Sequence, residues 1–176
     1  MRVVAGRFGG RRLAAPPGRA TRPTSDRVRE AVFSILGALD GSRVLDLYAG
    51  SGALGIEALS RGAATALFVE RDARAAAVLR ENLRALGIDA EVSKADVIAA
   101  LRDARTRGET YDLVLCDPPY RRAPSLGSSL GEALVPVLAD GARVVTESDR
   151  RAPLDLPLPL TDERRYGDTL IRIHRP

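Results

Sequence analysis

Four consecutive residues, Asp117, Pro118, Pro119 and Tyr120, carry groups that can hold and activate a weakly nucleophilic amine. Consecutive prolines fix φ, which makes the Pro118 carbonyl a preorganised acceptor beside the Asp117 carboxylate. Two such acceptors can bind the N–H bonds of an exocyclic base amine, while Tyr120 stacks on the base and Asp117 takes the released proton. We predict that these four residues are catalytic; the alternative is a turn that merely ends a strand.

A second candidate site lies about 70 residues earlier, where an apolar stretch ends in Asp46 and continues into a glycine-rich loop. The loop contains Gly50, Gly52 and Gly55, and glycines let a backbone approach a ligand closely because no Cβ intervenes. Asp46 at the strand end suits a ligand's ammonium group better than a pyrophosphate, which prefers bare amides at a helix N-terminus. The three glycines also fit the spacing of an NAD-dependent oxidoreductase, so the pattern alone leaves that class open.

Further carboxylates follow the next two predicted strands. Glu70 can accept both hydroxyls of a ribose, and Asp96 can accept a hydrogen bond from an adenine amino group beside the amide of Val97. Together with Asp46 they fit S-adenosylmethionine, although Asp96 could equally be only a helix N-cap. The residues that we predict to bind this cofactor are Asp46, Tyr48, Ala49, Gly50, Gly52, Glu70, Arg71, Asp96 and Val97.

Basic residues are concentrated at one end of the chain. Residues 1–30 contain eight arginines against two acidic residues, a net charge of +6, whereas the other 146 residues carry a net charge of −2. Such clustering is typical of a segment that binds nucleic-acid phosphates, and the alternative is a solvated tail. The residues that we predict to contact nucleic acid are Arg2, Arg7, Arg11, Arg12, Arg22 and Arg27.

The remaining composition narrows the class of protein. One cysteine, Cys116, precludes an intramolecular disulfide, and with one histidine, His174, it cannot build a zinc site, so we expect no metal. No apolar run reaches the roughly 18 residues of a membrane span, and the N-terminus lacks the apolar region of a secretory signal. We therefore expect a cytoplasmic protein that does not bind membranes.

Extended and helical patterns alternate along the chain, which predicts an α/β fold with a doubly wound, mostly parallel sheet. We predict two parts, a basic β-hairpin arm over 1–23 and one domain over 24–176. Predicted strands cover 43–47, 66–70, 90–93, 111–116 and 142–147, followed by a hairpin of 163–166 and 169–174. The first predicted helix begins after the capping residues 24–26 and ends near 37–41. Four further predicted helices cover 54–61, 72–86, 97–105 and 126–138.

Several longer motifs make the chain similar to the RsmD family, the bacterial 16S rRNA guanine-N2 methyltransferases. They are Arg22-Pro-Thr-Ser-Asp-Arg-Val-Arg-Glu-Ala-Val-Phe, Asp46-Leu-Tyr-Ala-Gly-Ser-Gly-Ala-Leu-Gly-Ile-Glu-Ala-Leu-Ser-Arg-Gly-Ala, Asp117-Pro-Pro-Tyr and Tyr166-Gly-Asp-Thr. The tetrapeptide occurs in many amino-methyltransferases, whereas the segment that begins at Arg22 is far more specific and decides the resemblance.

The resemblance implies a class I S-adenosylmethionine-dependent methyltransferase, with a Rossmann-like seven-stranded sheet, an antiparallel C-terminal hairpin and an N-terminal β-hairpin. It implies methylation of a guanine N2 in 16S rRNA within an assembling small ribosomal subunit. It also places Arg22 and Thr24 near the cofactor or target pocket. We further expect a monomer.

Two further functions remain open from the sequence besides the NAD-dependent oxidoreductase, for which the chain offers no obvious hydride-transfer constellation. A DNA adenine-N6 or cytosine-N4 methyltransferase shares the tetrapeptide, but it normally needs a sizeable target-recognition domain for which 176 residues leave little room. A non-catalytic RNA-binding module would use only the basic N-terminal segment.

Overall fold

The computed structural model of the protein describes residues 1–16, 25–119 and 123–176. The predicted site residues Arg22, Thr24 and Tyr120 lie outside these ranges. The helices are α1 (Asp26–Leu36), α2 (Ala53–Ser60), α3 (Ala73–Leu86), α4 (Val97–Thr106) and α5 (Ala123–Leu134). The strands are β1 (Arg43–Leu47), β2 (Thr65–Val69), β3 (Glu91–Ser93), β4 (Tyr111–Cys116), β5 (Leu138–Asp149), β6 (Leu160–Tyr166) and β7 (Thr169–His174).

The described strands form a seven-stranded sheet in the order β3-β2-β1-β4-β5-β7-β6. Strands β1 to β5 pair in parallel, and β7 is antiparallel to both of its neighbours. This arrangement confirms the predicted doubly wound sheet with an antiparallel C-terminal hairpin. The chain reverses its direction of winding between β1 and β4, and ligands of such sheets bind beside that point at the carboxyl ends of the strands, here called the carboxyl edge.

Two hydrophobic cores cover the two faces of the sheet. On one face, α1, α2 and α3 pack on residues such as Val44, Leu113 and Leu115. On the other, α4 and α5 pack on residues such as Leu45 and Val114. Because successive side chains of a strand point to opposite faces, residues two positions apart share a face. None of the helices within the described ranges is long and apolar enough to cross a membrane.

Capping residues set several helix boundaries where the sequence predicted them. The Ser25 hydroxyl accepts a hydrogen bond from the Val28 amide at 3.3 Å, and the Asp72 carboxylate accepts from two amides of the first turn of α3. Gly37 and Gly87 follow α1 and α3 with positive φ values of 69° and 66°, which glycine adopts without strain because it has no Cβ.

The boundary between α5 and β5 differs from the prediction. The helix ends at Leu134 rather than at residue 138, a 3-10 turn spans Val135–Val137, and β5 begins at Leu138 rather than at 142. Pro136 lies in the 3-10 turn and lacks the N–H that would continue the α-helix. The apolar residues around it fit a helix or a strand, so periodicity alone could not locate the boundary.

The N-terminal segment folds as a short hairpin that packs against α2 and α3. Arg2 and Arg12 form one antiparallel bridge, and the side chains of Val3 and Leu13 are buried in the core beneath α1. Gly6, with φ of 79°, contacts α2 so closely that a Cβ would lie 1.9 Å from the Ser60 carbonyl oxygen. The hairpin is therefore joined to the main core by buried apolar contacts. The predicted domain boundary after residue 23 stays a prediction.

Candidate active site

The backbone of the loop after β1 has a conformation that lets a ligand approach it closely. Tyr48 adopts φ of 59°, which is rare for a residue with a side chain, costs about 1–3 kcal/mol and occurs preferentially at functional sites. At Gly52, with φ of 82°, a Cβ would lie 2.2 Å from Leu79 Cδ1. At Gly50 a Cβ would meet nothing nearer than the Tyr48 carbonyl oxygen at 3.9 Å, so this side of the loop has room for a ligand.

Asp46 is almost fully buried beneath this loop. Its Oδ2 accepts a hydrogen bond from the Gly55 amide at 2.9 Å. A Cβ at Gly55 would lie 2.3 Å from Phe68 Cε1, so the glycine lets α2 pack closely on the sheet. Burial raises the pKa of Asp46 to about 7 and the charge of Glu70 adds to the rise, against the effect of the Gly55 amide. A cationic ligand would therefore favour the ionised carboxylate.

The two other predicted carboxylates also hold backbone amides. Glu70, which is buried, accepts from the Gly50 amide at 2.9 Å and from the Asp72 amide at 2.8 Å. Asp96 is the N-cap of α4 and accepts from the Ile98 amide at 3.0 Å. A carboxylate offers about four lone-pair positions, so both side chains keep acceptor capacity for a ligand. Of the residues beside them, Arg71 is exposed and Val97 is buried.

This set of acceptors fits S-adenosylmethionine better than a dinucleotide. The cofactor carries a sulfonium, an ammonium group and ribose hydroxyls, all of which a carboxylate can stabilise. A pyrophosphate instead requires free amides at the loop, and those of Gly50 and Gly55 already donate to Glu70 and Asp46. In the described ranges no cluster of three or more histidine, cysteine or acidic side chains is arranged to hold a metal ion.

Asp117 lies across the switch point from the glycine loop. Leu47 of β1 pairs with Cys116 of β4, so the residue that follows β4 lies beside the start of the loop. Burial raises the pKa of Asp117 well above the usual range for an aspartate, and the charges of Glu147 and Asp46 raise it further. The adjacent Pro118 is buried. The structure thus brings Asp117 close to the predicted cofactor residues.

Sequence reasoning missed two buried glutamates. Glu147 lies at the carboxyl edge in β5, near Asp117, and is 4% exposed. A charge after the buried residues Val144 and Val145 is the same signal that singled out Glu70, so it could have been found. Glu57 of α2 accepts from the Val4 and Ala5 amides at 2.6 and 3.0 Å and anchors the hairpin, a role for which the sequence holds no local signal.

The side chains of the hairpin arginines reach different helices. Arg2 pairs with Asp26 at 3.1 Å, near the start of α1, whereas Arg11 donates to the Ala85 carbonyl at 3.2 Å, near the end of α3. Arg7 stacks over the Phe8 ring at 4.8 Å. Since α3 runs away from the carboxyl edge, Arg11 lies towards the opposite edge of the sheet. The described arginines of the predicted set are all exposed, namely Arg2, Arg7, Arg11, Arg12 and Arg27.

The sheet order, the glycine loop at its switch point and the carboxylates around it define a class I S-adenosylmethionine-dependent methyltransferase. The chain matches the family model described as "Conserved hypothetical protein 95" over residues 1–175 and belongs to that family, the RsmD family. The resemblance seen in the sequence is thereby confirmed.

Individual relatives agree with this assignment. The chain is 38% identical to "Putative rRNA methyltransferase YlbH" of Bacillus subtilis, covering 99% of this chain and 98% of the relative. It is 32% identical to "Ribosomal RNA small subunit methyltransferase D" of Haemophilus influenzae, covering 99% and 93%. Among solved structures, "Putative methyltransferase yhhF" of Escherichia coli matches with a TM-score of 0.86 at 34% identity, covering 99% of this chain and 97% of that one.

Proposed function

We propose that this protein transfers the methyl group of S-adenosylmethionine to the exocyclic N2 of a guanine in small-subunit ribosomal RNA. The observation that carries the proposal is the position of Asp117 beside the loop that follows Asp46, which brings an acceptor for an amine next to a site suited to a cationic methyl donor. The relatives named as rRNA methyltransferases support an rRNA substrate. The choice of guanine N2 rests on the resemblance to the RsmD family.

The protein's own residues supply orientation and a proton acceptor. The bound cofactor supplies an electrophilic methyl group on a sulfonium. Asp46 and Glu70 would hold its cationic and ribose groups, and Val97 would contribute to the adenine site. The Asp117 carboxylate and the Pro118 carbonyl accept the N–H bonds of the amine and direct its lone pair at the methyl carbon, so most of the catalysis is positioning. As the nitrogen gains the methyl group, the bond from sulfur to that carbon would break with its electron pair left on sulfur, and the nitrogen would lose a proton, which Asp117 would accept.

The electrostatics of the unliganded site suit a cationic ligand. Burial and the nearby charges of Glu147 and Asp46 raise the pKa of Asp117. A cationic group held by Asp46 would stabilise the ionised form of that carboxylate, because opposite charges attract.

The hairpin extends the substrate surface beyond the catalytic edge. Its exposed arginines can bind RNA phosphates, and Glu57 and the buried Val3 keep the hairpin in a defined position on the domain. We include Arg22 and Tyr120 in this surface as predicted contacts of RNA and base. We expect the substrate to be rRNA in an assembling small subunit and the enzyme to act as a monomer in the cytoplasm.

The direct test is incubation with radiolabelled S-adenosylmethionine and separate pools of DNA, of small-subunit rRNA and of small-subunit assembly particles, the last two from a strain that lacks the gene. We expect label in 16S rRNA, recovered as N2-methylguanosine after digestion, and mapping then identifies the nucleotide. Label in DNA alone would overturn the substrate, and methylated adenine or cytosine would overturn the target base. RNA binding without any label would indicate a binding module. Tight binding of NADH without binding of S-adenosylmethionine would indicate an oxidoreductase.

A further inference from the structure

Asn82 lies inside the protein on α3, and its side chain joins two segments that are far apart in the sequence. Its amide nitrogen donates to the Ser51 carbonyl at 2.9 Å and to the Ala14 carbonyl at 3.0 Å, and its Oδ1 accepts from the Ala14 amide at 2.8 Å. Both N–H donors and one acceptor position of the side chain are therefore used. Asn82 is 4% exposed, so water has little access to these bonds.

The first of the two segments is the glycine loop. The peptide group that joins Ser51 to Gly52 is held at both of its polar atoms, because its carbonyl accepts from Asn82 and its N–H donates to the Ala49 carbonyl at 2.7 Å. Gly50, on whose side the loop has room for a ligand, directly precedes this peptide group. Asn82 thus fixes the loop backbone next to the predicted cofactor position from the opposite side.

The second segment is the N-terminal hairpin. Ala14 directly follows the buried Leu13 and lies two residues after the exposed Arg12. The start of the hairpin reaches the same loop, since the Ser51 hydroxyl donates to the Met1 sulfur at 4.0 Å and the Leu13 amide donates to the Met1 carbonyl at 3.0 Å. Both ends of the hairpin therefore contact the glycine loop, one directly and one through Asn82.

We propose that Asn82 is a positioning residue that couples the binding of rRNA at the hairpin to the binding of the cofactor at the glycine loop. Its amide group is planar, so the atoms that bond Ala14 and Ser51 cannot move independently. A ligand that orders one segment thereby favours the ordered arrangement of the other, and such coupling acts equally in both directions. This inference rests on the proposed function, because it takes the cofactor to bind at the loop and RNA to bind at the hairpin.

The test measures the affinity for radiolabelled S-adenosylhomocysteine, which cannot be turned over, by equilibrium dialysis with and without saturating substrate. The substrate is 16S rRNA or the small-subunit assembly particles, whichever the methylation assay labels. We expect substrate to tighten binding to the wild-type enzyme by about fivefold or more. In Asn82→Leu, which has a side chain of similar size without hydrogen-bonding groups, the ratio of the two affinities should fall below about twofold.

Ser60→Ala is the matched control. It removes the hydroxyl that bonds the Ala5 carbonyl and the Phe8 amide, so it loosens the hairpin without touching the glycine loop, and it should keep the wild-type ratio. A merely structural role of Asn82 would weaken both affinities by the same factor and leave their ratio unchanged. An unchanged ratio in Asn82→Leu, no coupling in the wild-type enzyme, or an equal loss in Ser60→Ala would each overturn the proposal.

Hydrogen exchange of the wild-type protein gives a second measurement should Asn82→Leu fail to fold. S-adenosylhomocysteine should slow exchange of the Ala14 amide, which donates to Asn82, and leave the Phe8 amide, which donates to Ser60, unchanged. The same effect on both amides, or none on Ala14, contradicts the role of Asn82. If the wild-type enzyme neither binds S-adenosylhomocysteine nor methylates rRNA, the proposed function fails instead.

Discussion

The carboxyl edge has two halves that are built differently. The cofactor half, at the ends of β1 and β2, holds Asp46, Glu70 and the glycine loop, and each of these carboxylates accepts at least one backbone amide. The target half, at the ends of β4 and β5, holds Asp117 and Glu147, whose mutual repulsion contributes to the raised pKa of Asp117. Within the described residues, no amide donates to the Asp117 carboxyl.

The difference follows from what each half must bind. The cofactor has the same shape in every cycle, and a loop held by its own hydrogen bonds pays little ordering entropy when the cofactor binds. In the proposed function the amine must enter, react and leave, so its N–H groups contact Asp117 only while it is present. Among the described residues, backbone amides thus preorganise the cofactor half.

Asp117→Ala separates the two halves most clearly. We expect methylation of 16S rRNA to fall by about 100-fold to 10,000-fold, because both an acceptor that orients the amine and the proton acceptor are lost. Cofactor affinity should change by less than about threefold, since the amides that shape the glycine loop are held by other carboxylates. Single-turnover kinetics and calorimetric titration measure the two quantities.

Asp103→Ala, which removes an exposed carboxylate of α4, is the control and should leave both quantities unchanged. Full methylation activity in Asp117→Ala would remove Asp117 from the catalytic machinery.

Asp46→Asn should weaken cofactor binding and yet stabilise the unliganded protein at high pH. We expect cofactor affinity to fall about tenfold or more because a charge-assisted hydrogen bond is lost. The unliganded protein should nevertheless gain stability at high pH. The pKa of Asp46 is about 7 in the folded protein and near 3.8 when unfolded, so the folded state holds an extra proton between these values. The wild-type protein therefore loses stability as pH rises from about 4 to 7.

Thermal unfolding of both proteins at pH 5 and pH 8, with and without cofactor, measures this effect. The melting temperature of Asp46→Asn relative to wild type should be higher at pH 8 than at pH 5. Asp72→Asn is a suitable control because asparagine caps a helix as well as aspartate does. An equal difference at the two pH values would show that Asp46 does not titrate in this range.

Neutralising the hairpin arginines should have the smallest effect, a change in the salt dependence of RNA binding. The experiment tests how far the RNA surface extends from the target half. Replacing Arg7, Arg11 and Arg12 by glutamine should reduce the slope of log affinity against log salt by about two, since each phosphate contact contributes about 0.7–0.9. Cofactor affinity should not change.

Arg102 and Arg105, exposed on α4 at the other face of the sheet, provide the control double variant. If the salt slope is the same in both variants and in wild type, the hairpin is a solvated charged segment. The three arginines can also be replaced one at a time. If only the Arg12→Gln variant has a smaller salt slope, the RNA surface is restricted to the part of the hairpin nearer the carboxyl edge.

Local patterns predicted most of the fold and the chemistry of the site. The strands β1 and β4 have the predicted bounds because each is a short, largely apolar run. The glycine-rich loop that follows Tyr48 limits β1, and Asp117 with two prolines limits β4. The prediction for the start of β5 was wrong, because the apolar run around Pro136 fits more than one local structure. Docking of the hairpin on Glu57 could not be predicted, because it depends on a contact between residues more than 50 positions apart.

The sequence by itself determined which groups stand at the ends of the strands: a carboxylate before a glycine loop, another after the next strand, and an aspartate held against two prolines. These are properties of neighbouring residues. Only the tertiary structure decided which of those groups meet, because β4 lies between β1 and β5 in the sheet. That order brings Asp46, Asp117 and Glu147 to one edge, and it follows from the packing of helices on both faces rather than from any spacing along the chain.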